Sequence, residues 1–423
     1  HRLRDMSGKE RRLTALALAI SVCAATTLLE AGARLLASAG AREAEESLRS
    51  AEAYRWFPEL RLALPLPGAR ITLHKPEFID RFPTTDLLGL GAGFFDDGLD
   101  ERPVRALATG DSFTRGVGSG DQLARGWVEL AERRLPWLDL VNLGNSATGP
   151  LHQMRFYAKI ADRIPHRWVL INFYSGNDFI DNADPFDLHS ALETLPEGER
   201  SAALASIQRA LTLAARPDYA LHSRCRSRSH AWRLACRAFA SPAGEPAGLA
   251  LYERLKAAAT DPLVAPEAVA AAKRSNETAV LLEPSELSLA GDRMFRYGHQ
   301  KDAALARVLA RHSAAVLSRY AAEVRRRGKT PFVVIHPSAA EALLPAGDAG
   351  LERPVALLKA GLPKDLRVLD LTPSLRAAAR ASNERLYWRK DDHYTPAGYR
   401  AVAEAVAAFL DAQPRPTDAK ATL

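Results

Sequence analysis

Apolar and polar positions change their period repeatedly along the chain. From residue 104 onward, short β-branched or apolar runs alternate with stretches of helical spacing. The runs predict strands at Val104–Thr109, Leu138–Asn142, Trp168–Tyr174, Thr330–His336 and Arg367–Leu371. Helical spacing predicts helices over Gln122–Arg134, Leu151–Ile164, Ala303–Arg327 and Pro396–Asp411. Strands that alternate with helices indicate a parallel sheet covered on both faces, so the expected class is α/β, a three-layer α/β/α sandwich. A long insertion, about 185–300, separates the third strand from the fourth. It is Ala- and Arg-rich, helical in pattern, and broken by Pro242, Pro246, Pro262, Pro266 and Pro284. Residues 38–103 form a lead-in rich in Pro, Gly and aromatics with no long periodic run, and 413–423 read as a frayed tail.

One further run has a different character. Leu13–Leu29 contains no charged residue, and as a helix its 17 residues would span roughly 25 Å, the short edge for a membrane crossing. Residues 1–12 before it carry a net charge of +3, and Glu30 closes it. A basic flank ahead of a single apolar run predicts a transmembrane anchor at 13–37, a cytoplasmic segment at 1–12 and an exported, periplasmic remainder. A cleaved signal peptide is the competing reading, with Ala31–Ala33 as its small-residue site. Export would permit a Cys225–Cys236 disulfide, against the alternative of two reduced buried thiols.

Composition narrows the function. The net charge of +7 over 423 residues leaves only +4 beyond the first twelve residues, too thin for nucleic-acid binding. Three cysteines exclude a Cys-rich zinc module, and no Cys/His cluster has ligand spacing, so no metal or other cofactor is expected. In an open parallel sheet, ligands bind beyond the carboxyl ends of the strands, so the residues just past each strand are the candidates for chemistry. After the first strand, Gly110, Asp111 and Ser112 put a hydroxyl at the sheet edge beside the N–H groups of the next turn. After the second, Gly144 allows close backbone approach. After the third, Asn177 offers an amide donor. Asp178, Asp181, Asn182 and Asp184 come next, with spacing that fits caps and turns better than a cation loop. Before the last helix stands Asp391-Asp392-His393. In extended backbone, residues two apart face the same way, so Asp391 shares the His393 side while Asp392 points away and is secondary. Trp388 reads as a core aromatic rather than a sugar platform. Arg216–Arg237, rich in Arg, reads as a solvated face rather than an anion grip.

These four blocks in this order resemble the SGNH (GDSL-type) hydrolase superfamily, and most closely its exported, membrane-tethered bacterial members. The matching residues are GDSFT with Ser112, the second-block Gly144, the GND with Asn177, and the late His393. The Asp-x-His spacing is similar to that of alginate O-acetylation proteins and related polysaccharide acetyltransferases. The resemblance covers roughly 104–412 outside the insertion and implies a five-stranded sheet in flavodoxin-like order. It also implies acyl transfer through a serine: Ser112 as nucleophile, His393 as base, Asp391 as its orienter, and an oxyanion hole of Ser112, Gly144 and Asn177. The leading expectation is an extracytoplasmic esterase that removes acyl groups, acetyl among them, from a cell-envelope carbohydrate or another small ester. A polysaccharide O-acetyltransferase would use the same residues, alongside envelope glycan-modification partners. A non-catalytic glycan-binding component is disfavoured, because every catalytic position is filled.

Overall fold

The computed structural model describes residues 17, 21–22, 24–31, 49–75, 77–96, 98–186, 188–214, 247–258, 261–278, 280–282, 294–296, 298–344, 354–389 and 391–415. Two units are distinguished: residues 1–52 with 206–252, and residues 53–205 with 253–423. In the first, the described residues are helical at 24–31, and Arg209 pairs with Glu52 at 2.6 Å. Cys225, Cys236 and the Arg-rich stretch 216–237 lie outside the described residues, as do 13–16, 18–20 and 23 of the apolar run. Among the described residues no helix is long and apolar enough to cross a membrane.

The second unit holds the sheet. Four short strands come first: β1 (Tyr54–Phe57) with β2 (Leu62–Pro65), and β3 (Arg70–His74) with β4 (Ile79–Pro83), each pair antiparallel. The main sheet is next, with β5 (Val104–Gly110), β6 (Leu138–Gly144), β7 (Trp168–Tyr174), β10 (Thr330–His336) and β11 (Arg367–Asp370). Its spatial order is β11-β10-β7-β5-β6 and every pairing is parallel. Renumbered within the sheet this is 2-1-3-4-5, the flavodoxin-like order, and it places the carboxyl ends of β5 and β7 side by side.

Alternating side chains on these strands face opposite layers. Leu107, Val141, Ile171, Phe173, Val333 and Ile335 pack against the helices Pro150–Ile160, Ala303–Arg326 and Pro354–Gly361. Ala106, Leu140, Leu170, Phe332 and Val334 pack against Trp127–Arg134 and Pro396–Asp411. Within the predicted insertion the described residues include the helices Leu188–Leu192, Glu197–Ala214, Ala247–Ala258 and Pro266–Glu277. An antiparallel pair, β8 (Val280–Leu282) with β9 (Met294–Arg296), comes after them.

Two sequence expectations need correction. The helix predicted over Gln122–Arg134 is two, Gln122–Arg125 and Trp127–Arg134, because Gly126 between them is extended and caps the second. The helix predicted to reach Ile164 stops at Ile160. The lead-in, which has no long periodic run, carries four strands of four or five residues.

Candidate active site

Ser112 opens the four-residue helix Ser112–Arg115 directly beyond β5. Asp111 caps that helix by accepting the Phe113 N–H at 2.9 Å, which fixes the turn that lifts Ser112 off the sheet edge. As the first helical residue, Ser112 has a backbone N–H with no intrahelical acceptor. Burial raises Asp111 to about 6, against the opposing pull of the Phe113 N–H and of His393.

His393 arrives from the other end of the sequence on a hairpin. Trp388 N–H donates to His393 O and Thr395 N–H to Leu386 O, both at 3.0 Å, and Tyr387 pairs with Tyr394. Although the two residues are 281 positions apart, His393 Nε2 lies 2.7 Å from Ser112 Oγ. On the other side of the ring, Nδ1 is hydrogen-bonded to Asp391 Oδ1. With its proton on Nδ1, the imidazole presents Nε2 as an acceptor for the Ser112 hydroxyl. Phe113 stacks on the imidazole with ring centroids 4.8 Å apart and on Tyr174 at 3.7 Å, which limits the ring's tilt.

Asp391 faces His393 as expected, through a tighter geometry than a strand. Its Oδ1 also accepts the His393 backbone N–H at 3.2 Å, a turn in which a carboxylate caps the residue two ahead. Burial would raise Asp391, but the His393 hydrogen bond and charge and the Lys75 ammonium outweigh it, holding the carboxyl well below the usual range. Asp392 points the other way, accepting from the Tyr174 hydroxyl, and burial pushes it up to about 6. Two adjacent carboxylates thus have opposite environments, and only Asp391 touches the imidazole.

The expected oxyanion donors are placed less uniformly. Gly144 N–H donates to Asn142 Oδ1 at 3.0 Å, so it is already engaged, contrary to the expectation for it. A short side-chain bond two residues back captures this amide at the end of β6. What Gly144 supplies is space, because a Cβ there would sit 2.2 Å from the Arg115 backbone nitrogen. Asn177 Nδ2 donates one hydrogen to Asp181 Oδ2 at 2.9 Å and has a second to offer. Burial, with Asp111 and Asp184 nearby, raises Asp181 to about 7. Asp178, Asn182 and Asp184 accept backbone N–H groups from Tyr174, Leu151 and Phe186, which is turn structure. No cluster of three or more potential metal ligands occurs among the described residues.

Sequence reasoning missed the lead-in's contribution. Lys75 Nζ lies 3.1 Å from Asp391 Oδ2. Asp80, on β4, accepts Gly118 N–H at 2.6 Å and Gly120 N–H at 2.7 Å, holding the loop just past the Ser112 helix. Gly118 sits at φ +95, and a Cβ there would meet Tyr394 O at 2.6 Å. The Arg115 guanidinium is buried between the Phe82 and Phe95 rings, 4.1 and 3.9 Å from their centroids. Trp388 packs at a tilt against Phe78 and donates to Gly118 O, which is a packing role. A sequence signal existed for Asp80 and Phe82, which alternate inward on a short amphipathic run; none marked Lys75.

Residues 294–422 match the family described as the SGNH hydrolase-like domain of the acetyltransferase AlgX. That likeness spans 129 of the chain's 423 residues. The matched segment contains β10, β11 and the Asp391–His393 pair, whereas Ser112, Gly144 and Asn177 precede it. No curated protein matches the chain. One similar solved structure is a lipolytic protein of the G-D-S-L family from Desulfitobacterium hafniense DCB-2. It shows 12% identity and a TM-score of 0.30, over 72% of this chain and 99% of that one. A second crystal structure gives 14% identity and a TM-score of 0.32, over 74% and 97%. Scores this low carry no argument, and the fold assignment rests on the strand order itself.

Proposed function

We propose that the chain is a serine-dependent acyl-transferring enzyme that acts on ester groups of a cell-envelope carbohydrate, acetyl esters among them. The observation that carries the reading is the hydrogen-bonded series Ser112 Oγ, His393 Nε2, His393 Nδ1, Asp391 Oδ1 at the carboxyl edge of a parallel sheet. In the proposed reaction Ser112 Oγ attacks the ester carbonyl carbon while His393 Nε2 takes the hydroxyl proton. Asp391 stabilises the imidazolium that results. The oxyanion is held by the Ser112 N–H and the second amide hydrogen of Asn177, and each such donor contributes about 10²–10³ in rate. Collapse expels the sugar oxygen, which takes the proton back from Nε2 and leaves Ser112 acylated. Attack by water on this intermediate makes the enzyme an esterase.

A second reading has an observation in its favour. The family matched over 294–422 is that of an acetyltransferase, and the Asp-x-His spacing agrees with it. On that reading a carbohydrate hydroxyl replaces water and a new ester forms. The apolar run Leu13–Leu29 would tether the domain on the extracytoplasmic side of the membrane, near envelope glycan-modifying partners. The test uses the full chain in detergent, with acetylated polysaccharide in one arm and p-nitrophenyl acetate plus bare oligosaccharide in the other. Acetate release in the first arm is expected for the esterase, and a mass gain of about 42 Da on about one oligosaccharide per turnover in the second for the transferase. Neither activity rising above that of Ser112→Ala would overturn both.

A further inference from the structure

Lys75, Glu77 and Phe78, between β3 and β4, meet Asp391, Arg389 and Trp388, just ahead of His393. Phe78 packs on Trp388 with centroids 5.3 Å apart and rings tilted by 30°, Glu77 Oε1 accepts the Arg389 N–H at 3.1 Å, and Lys75 Nζ reaches Asp391 Oδ2 at 3.1 Å. The hairpin is itself anchored, since Lys75 N–H donates to Phe78 O and Asp80 holds the Gly118 and Gly120 N–H groups. A tip gripped from below and docked on Trp388, Arg389 and Asp391 brings the ammonium to one defined oxygen of a carboxylate whose side chain is only 10% exposed.

The two oxygens of Asp391 therefore have separate occupants. Oδ1 takes the His393 ring and backbone N–H groups, and Oδ2 takes Lys75. A carboxylate bound at one oxygen only can rotate about its last torsion, which is broad for Asp. Occupation of the second oxygen removes that freedom, as outer-shell partners do for a metal-ligating imidazole.

Resting on the acyl-transfer reading above, we infer that Lys75 is a positioning residue. It fixes the Asp391 carboxylate in the plane that orients His393 toward Ser112, so the lead-in hairpin is a working part of the active site.

The test is a double-mutant cycle on the full chain, with kcat and KM measured on p-nitrophenyl acetate. Lys75→Met is expected to lower kcat about 10-fold with KM unchanged, as for loss of one charge-assisted, partly exposed contact. Lys75→Arg is expected to recover most of that loss. In the Asp391→Asn background, Lys75→Met is expected to have no further effect, because the contact it removes acts only through the carboxylate. Thermal melting of each variant separates loss of fold from loss of positioning. A Lys75→Met enzyme with wild-type kcat would overturn the inference, as would an equal loss in both backgrounds. Ser112→Ala, run alongside, keeps the outcomes apart: if it retains turnover, the acyl-transfer reading fails instead.

Discussion

The two sides of the candidate site are built differently. On the acid–base side, Ser112, His393, Asp391 and Lys75 form an unbroken series of polar contacts, each group in place before any substrate arrives. On the oxyanion side, Gly144 has given its N–H to Asn142, and Asn177 has given one amide hydrogen to Asp181. Side chains on the first side reach across the sheet edge toward one another. On the second, a backbone N–H and a side-chain amide are each captured by a neighbouring side-chain acceptor two or four residues away. On the proposed reaction, the groups for proton transfer are preorganised, while the oxyanion would fall on the Ser112 N–H and the second amide hydrogen of Asn177.

The largest effects expected lie on the acid–base side. Ser112→Ala and His393→Ala should each lower kcat about 10⁴-fold or more, and the double variant should be little worse, since the pair acts as a unit. Steady-state kinetics on an activated ester checks this, and additive losses would break the unit. Next come the two aspartates. Asp391→Asn should cost about 10³–10⁴ in kcat by leaving the imidazole without its carboxylate, whereas Asp392→Asn should cost less than about 10-fold, since Asp392 contacts Tyr174 rather than the ring. A reversed order would reassign the orienter.

The oxyanion side supplies a smaller effect. Asn177→Ala should lower kcat about 10²-fold with little change in KM, as for loss of one donor made useful only in the transition state. A loss confined to KM would show that the amide binds ground-state substrate instead.

The smallest expected effect concerns stability. Burial raises Asp392 to about 6, above its unfolded value, so the fold holds that proton more tightly than the unfolded chain does. The corresponding stabilisation is present below the unfolded pKa and is lost as pH rises through about 6. Asp392→Asn should therefore be more stable than the parent at pH 8, with the gain shrinking toward pH 4. Denaturant melts at the two pH values check this. An equal gain at both would locate the effect in something other than titration.

The same division explains what the sequence disclosed. The sheet was legible because strands buried on both faces read as apolar runs, as at Trp168–Tyr174 and Thr330–His336, where the expected and observed limits coincide. Ser112 was legible from its place just past the first sheet strand and His393 from its place beside an aspartate before the last helix, once the blocks were taken together in their order. Asp391 was assigned to the right side by an alternation rule, although the structure achieves this through a side-chain cap of the His393 N–H. The capture of Gly144 N–H was not legible, because it depends on a single torsion of Asn142. Lys75 was not legible either. Its partner is distant in sequence, and a lone Lys in a turn carries no periodic or motif signal. Gly126 broke a helix that its neighbours' spacing made continuous, since periodicity reports which face is buried and not whether the backbone turns.

The most direct test of the central claim, that Ser112 is the nucleophile activated by His393, is covalent capture. The full chain is treated with a serine-directed fluorophosphonate, and the adduct is quantified by intact mass and mapped by peptide sequencing. A single adduct on Ser112 is expected, slowed at least about 10³-fold by His393→Ala and absent from Ser112→Ala. An adduct on any other serine, or labelling of Ser112 at the same rate without His393, would contradict it.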